Sequence, residues 1–198
     1  MTSFAVVRDP VADHLLTPKN AAMIIIDFQP VQVSSVTSRD RHLLVRNVVS
    51  MARLGKLFGL PTVLSTVKTG INKPMIEPVM EVVGGVEPID RTAINAWEDE
   101  DFVRAVKATG RRKLVMAALW TEVCLVHPAL DALREGFEVF PVVDAVGGTT
   151  LEAHETGLQR LVQAGGQPTT CVQLACELQR DWNRTDTAQQ FAQILFAP

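Results

Sequence analysis

Ala22-Met23-Ile24-Ile25-Ile26-Asp27-Phe28 is an apolar run interrupted by a single carboxylate near its end. A run apolar at every position, rather than at alternate ones, reads as a strand buried on both faces, as in a parallel sheet covered by helices. Shorter runs of the same kind lie at 61–67, 113–119, 138–144 and 168–172, with a weaker one at 86–91. Between them fall segments of helical period. Asp40 is placed to cap a helix through Leu43, Leu44, Val48, Met51 and Leu54 that ends near Gly55 or Gly59, and further helices fit 98–109, 122–134, 151–164 and 175–183. The alternation predicts a three-layer α-β-α fold around a six-stranded, mainly parallel, Rossmann-like sheet, whose order is taken to be 3-2-1-4-5-6. Residues 68–88 hold three prolines and three glycines with no sustained period, which reads as a surface loop, with room for one helical turn, able to lie over a site.

That strand order brings two chemical groups to one crevice. Ligands of open α/β sheets bind beyond the carboxyl ends of the strands where the order reverses, here between the first strand and the fourth. Asp27 closes the first strand. Cys124 follows the fourth, in the first turn of a helix, where the helix dipole favours thiolate. Each also has a plainer reading, Asp27 as a strand-end residue and Cys124 as a small apolar core residue.

Three stretches carry more specific information: Ile24-Ile25-Ile26-Asp27-Phe28-Gln29, Ile94-Asn95-Ala96-Trp97-Glu98-Asp99-Glu100-Asp101-Phe102 and Trp120-Thr121-Glu122-Val123-Cys124. In this order they resemble the isochorismatase-like cysteine hydrolases. The second stretch resembles the YcaC-type branch in particular, together with Val106-Lys107-Ala108-Thr109-Gly110 and Ala175-Cys176-Glu177-Leu178-Gln179-Arg180-Asp181-Trp182. The resemblance implies an Asp, Lys and Cys triad, with Cys124 as nucleophile and Asp27 as its proton partner. The lysine would stand four residues before Asn95, where this chain has Arg91. Arginine keeps the positive charge but cannot exchange protons. Arg91 then serves as a fixed charge or forms an ion pair elsewhere; otherwise Lys68 or Lys73 reaches in from the loop, or the site is impaired.

The resemblance further implies a cis peptide before Trp120 and an oxyanion hole made by the backbone N–H groups of Trp120 and Cys124. The Trp120 indole either narrows the pocket or packs in the core or on a neighbouring subunit. Phe28, Gln29, Asn95 and Trp97 are candidate substrate-binding residues. The implied reaction is hydrolysis of an amide-like C–N bond of a small molecule through a thioester. Two alternatives stand beside it: a catalytically impaired binding or assembly protein of the same fold, and an isochorismatase-type vinyl ether hydrolase, which would not require the thiol. The YcaC-type resemblance also implies a homo-oligomer, in the extreme an octamer. The tail 184–198, with Phe191, Ile194 and Leu195 on one side, either docks on a neighbouring subunit or folds back on its own domain.

Bulk properties narrow the class. A chain of 198 residues that is 47% apolar suits a single domain over 1–198. A net charge of -3, with acids and bases interspersed, offers nothing to a nucleic acid or a membrane surface, and the small-molecule substrate is what the family resemblance implies. Arg8, Asp9 and Pro10 stand where an export signal needs its apolar core, and the run 114–120 is too short to span a bilayer, so a cytoplasmic location is expected. Cys124, Cys171 and Cys176 form no Cys-x-x-Cys pair. Asp40-Arg41-His42 has metal-like spacing without a second histidine nearby, and the implied chemistry calls for neither metal nor cofactor. His127 lies about one turn after Cys124, either as a proton shuttle or packed on the helix face, while His154 has no partner that the sequence names. Gly147-Gly148-Thr149-Thr150 is an anion loop or a turn before a helix. Cys171, in the last strand, and Cys176, in the last helix, are packing residues or rival nucleophiles.

Overall fold

The computed structural model describes residues 9–196. Residues 1–8, which hold most of the stretch read for an export signal, and the last two residues of the tail lie outside it. The apolar run forms β1 (Ala21–Ile26), buried at every position as its composition demands. Then follow α1 (Pro30–Ser35), α2 (Arg41–Phe58), β2 (Thr62–Val67), α3 (Thr69–Asn72), α4 (Glu77–Val83), β3 (Ile89–Arg91), α5 (Glu100–Ala108), β4 (Lys113–Ala118), α6 (Val126–Arg134), β5 (Glu138–Pro141), α7 (Leu151–Gln163), α8 (Cys171–Gln179) and α9 (Thr185–Phe196). Among the described residues the sheet has five strands, all parallel, in the order β3-β2-β1-β4-β5. The reversal of order falls at β1, whose Ile26 is in register with Ser65 of β2 and Ala118 of β4.

The expected sixth strand is reduced to one bridge between Val142 and Thr169. Thr170 accepts a hydrogen bond from the Gln173 N–H and starts α8 at Cys171, so the apolar residues after it turn into a helix. A short apolar run does not by itself distinguish strand from helix, and the cap decides it here. Cys171 is therefore a helix residue, Cys176 lies in the penultimate helix, and the helix expected at 175–183 begins and ends earlier. The loop expected at 68–88 contains two short helices, the second with Pro78 in its first turn, where a missing N–H costs nothing.

Sequence signals set the other helix ends. Asp40 caps α2 through the Leu43 N–H at 2.9 Å, and Gly59 ends it in the left-handed conformation at φ +66°. The segment expected as one helix at 122–134 opens as a π-turn, Thr121–Leu125, before α6. Helices α2, α8 and α9 pack together on one side of the sheet, and α6 and α7 pack together on the other. Helix α9 lies on α2 and α8 of its own chain, with Phe191 buried and edge-on to Trp182 at 5.1 Å.

Candidate active site

Asp27 is the first residue past β1. Its backbone has φ +58°, a left-handed conformation that aspartate tolerates better than most residues, and its N–H donates to Ser65 O at 2.9 Å. Arg91 ends β3, two strands away. Its guanidinium crosses the end of β2 and donates from Nη1 to Asp27 Oδ1 and from Nη2 to Asp27 Oδ2, both at 2.7 Å. The same two nitrogens donate to Ser65 Oγ at 3.0 Å and Ile94 O at 3.1 Å, which holds the planar group in place. Burial works to lower the Arg91 pKa, but the hydrogen bonds and charge of Asp27, with smaller help from Cys124 and Asp99, outweigh it and hold the guanidinium above its ordinary value. Of the three cations read as possible partners, Arg91 reaches the carboxylate; Lys68 and Lys73 are exposed.

Cys124 sits in the π-turn beyond β4, with 6% of its surface exposed. Its thiol faces the Asp27 carboxylate and the Trp120 backbone N–H. Burial first, then the charge of Asp27 and the hydrogen bond to it, push the thiol pKa well above its usual value, against the opposing pull of Arg91 and the Trp120 N–H. This corrects the expectation that position in the helix favours thiolate. A carboxylate in contact and a dry surrounding outweigh a dipole at the end of a turn, and the resting thiol is neutral.

The peptide Leu119–Trp120 is cis, as the resemblance implies. The Trp120 indole is half-buried and donates to Ser35 Oγ of α1 at 2.8 Å. Of the four residues read as substrate contacts, the three polar ones have their side-chain polar atoms engaged by the protein. Phe28 is fully buried. Gln29, also buried, accepts from the Val67 N–H at 2.9 Å and donates to Val67 O and Lys73 O, tying the segment after β2 to the end of β1. Asn95 accepts from the Trp97 N–H and donates to Asp131, while the Trp97 indole donates to Glu135 and packs edge-on against Phe102 and Phe137.

Ser65, which sequence reasoning passed over, and His154, which it left without a partner, belong to the surroundings of Cys124. Ser65 supports Arg91, and a hydroxyl inside a buried strand was a legible signal. His154 is buried, with Nδ1 2.8 Å from Thr121 Oγ1 and Nε2 3.1 Å from Arg39 Nη2. His127 instead lies on α6 beside an open groove of about 600 Å³ that Asn95, Asp131 and Arg160 also line. Gly147 to Thr150 is a turn into α7, capped by Thr150 through the Ala153 N–H. Cys171 is half-buried, with its thiol pushed up by burial and by Asp144, and Cys176 is exposed. Among the described residues, no group of three His, Cys, Asp or Glu side chains is arranged to hold a metal ion.

The isochorismatase domain family model matches residues 21–173 of the chain. The probable hydrolase YcaC of Escherichia coli strain K12 is 41% identical over 169 residues, which cover 84% of this chain and 81% of that protein. The crystal structure of the Escherichia coli YcaC gene product, an octameric hydrolase of unknown specificity, has a TM-score of 0.88 at 36% identity, covering 93% of this chain and 92% of its own. YcaC from Pseudomonas aeruginosa, with hexane-2,5-diol and covalent acrylamide, has a TM-score of 0.87 at 36% identity, covering 92% and 90%.

Proposed function

The chain belongs to the isochorismatase domain family, and from that premise we propose that it is a cysteine-dependent hydrolase cleaving an amide-like C–N bond of a small molecule. Cys124 is the nucleophile, Asp27 carries protons, and Arg91 is a fixed charge where the family resemblance implies lysine. One observation carries the reading: a single buried carboxylate receives the Arg91 guanidinium on both oxygens and faces the Cys124 thiol.

Because the thiol is neutral at rest, its proton leaves as the sulfur attacks. Asp27 accepts that proton while the Cys124 sulfur bonds to the substrate carbonyl carbon, and the oxygen becomes an oxyanion held by the backbone N–H groups of Trp120 and Cys124. Asp27 then gives the proton to the leaving nitrogen, the C–N bond breaks, and a thioester remains. Water, deprotonated by Asp27, adds to the thioester. The acid departs, and the thiol recovers its proton. Arg91 stays protonated throughout and keeps the carboxylate oriented. Acrylamide is an electrophile that thiols capture, so its covalent form in the Pseudomonas aeruginosa relative supports a nucleophilic side chain here.

We also propose a homo-oligomer, octameric by analogy with the Escherichia coli relative. Among the described residues no helix is long and apolar enough to cross a membrane, and the proposed setting is cytoplasmic.

The test is turnover of a panel of small amides by wild type and Cys124→Ala, with intact-mass detection of an acid-quenched acyl adduct. Turnover that disappears with the thiol, together with an adduct sensitive to hydroxylamine, supports the reading. Turnover retained by Cys124→Ala moves the assignment to thiol-independent chemistry such as vinyl ether hydrolysis. No adduct and no turnover across the panel leave a binding or assembly role.

A further inference from the structure

One stretch of chain, 147–157, grips the two residues that precede Val123 and Cys124, and the proposed chemistry makes no use of it. Thr121 donates its backbone N–H to Gly147 O at 2.9 Å, and its hydroxyl meets His154 Nδ1 at 2.8 Å. Glu122 turns its carboxylate to the same stretch. Oε1 accepts from the Thr149 N–H at 3.0 Å and from Thr149 Oγ1 at 2.6 Å, while Oε2 is buried with no hydrogen-bond partner. Two glycines make the approach possible: a Cβ at Gly148 would lie 2.6 Å from Glu122 Oε2, and one at Gly157 would lie 3.0 Å from Glu122 Cα. A carboxylate oxygen buried without a partner is unfavourable, and its retention asks for a reason beyond packing.

The reason lies in the turn itself. Thr121–Leu125 is a π-turn, a rare backbone form that occurs mostly at functional sites and competes with the regular α-helix that α6 continues. Relaxation to a regular helix would rotate Cys124 about the axis and away from Asp27. We propose that Glu122 is a positioning residue: its carboxylate clamps the nucleophile turn to the 147–149 loop and so keeps the Cys124 thiol on Asp27. The proposal rests on the reading of Cys124 and Asp27 given above.

The contact with Asp27 is one of the groups that hold the thiol neutral, so loss of the clamp has two opposite effects. Glu122→Ala is expected to raise the iodoacetamide alkylation rate of Cys124 at pH 8 by about tenfold, equivalent to roughly one pKa unit, while amide turnover falls by about a hundredfold through misplacement. Glu122→Gln, which keeps an oxygen for Thr149, restores most of both. Gly157→Ala, whose added methyl presses on the Glu122 backbone from a helix that tolerates alanine, reproduces the Glu122→Ala pattern and stands in for it if that variant does not fold. Adding Asp27→Asn to Glu122→Ala changes the alkylation rate little, whereas in wild type it raises it. Equal alkylation rates in wild type, Glu122→Ala and Gly157→Ala overturn the clamp. An alkylation rate indifferent to Asp27→Asn in wild type overturns the underlying reading of the site, and the clamp with it.

Discussion

The Arg91 guanidinium spans the end of β2 to bind both carboxylate oxygens of Asp27 at 2.7 Å, with neither side chain exposed. A charge buried in this way depends on its partner. Arg91→Ala strands Asp27, and the expected loss of stability is roughly 3–5 kcal/mol, measured by urea unfolding. Asp27→Ala with Arg91→Ala removes both charges and is expected to cost less than the sum of the single variants. Additive costs would mean that the pair is not coupled.

Arg91→Lys separates charge from geometry. Lysine keeps the positive charge but cannot fork onto two oxygens while also reaching Ser65 and Ile94, so a stability loss of about 1–2 kcal/mol is expected. Turnover is expected to stay within about tenfold of wild type, whereas Arg91→Ala abolishes it. Equal loss in both variants would show that the planar fork, and not the charge, is what catalysis needs.

Asp27 acts on the thiol in two directions, and substitution separates them. It raises the Cys124 pKa by its charge and by its hydrogen bond, though less than burial does, and it is the proposed proton acceptor during attack. Asp27→Asn is therefore expected to make Cys124 alkylate faster near neutral pH while amide turnover falls to background. Stopped-assay alkylation between pH 6 and 10, with the label located by mass spectrometry, checks the first effect. Slower alkylation in Asp27→Asn would show that Asp27 activates the resting thiol directly.

The crevice was legible because its two anchors are printed in local sequence. Residues 22–26 are apolar at every position, as a doubly covered strand requires, and that strand places Asp27 at the switch point opposite Cys124. The partnership with Arg91 came from the family motif, since contact across an intervening strand depends on side-chain reach and leaves no spacing signal. The state of the thiol was misread for a related reason: helix position is local and readable, whereas burial and a carboxylate 97 positions away are not. The sixth strand failed at Thr170, where one capping hydroxyl turned an apolar run into α8. His154 offered no local pattern, because Arg39 and Thr121 meet it from distant elements.

That histidine has a consequence of its own. Arg39 is a donor only, so the 3.1 Å contact makes His154 Nε2 the acceptor and leaves the ring proton on Nδ1, directed at Thr121 Oγ1. Burial, then the nearby charge of Arg39, lower the His154 pKa from its ordinary 6.5, and Glu122 only partly opposes them. The unfolded chain therefore binds a proton on this ring before the folded one does. Stability from His154 is present above about 6.5 and is lost as the pH falls toward the depressed folded value. His154→Gln, which can still accept from Arg39 and donate to Thr121, does not titrate. Its urea midpoint is expected to fall less than that of wild type between pH 7 and pH 5, and parallel declines would show that His154 is protonated equally in both states.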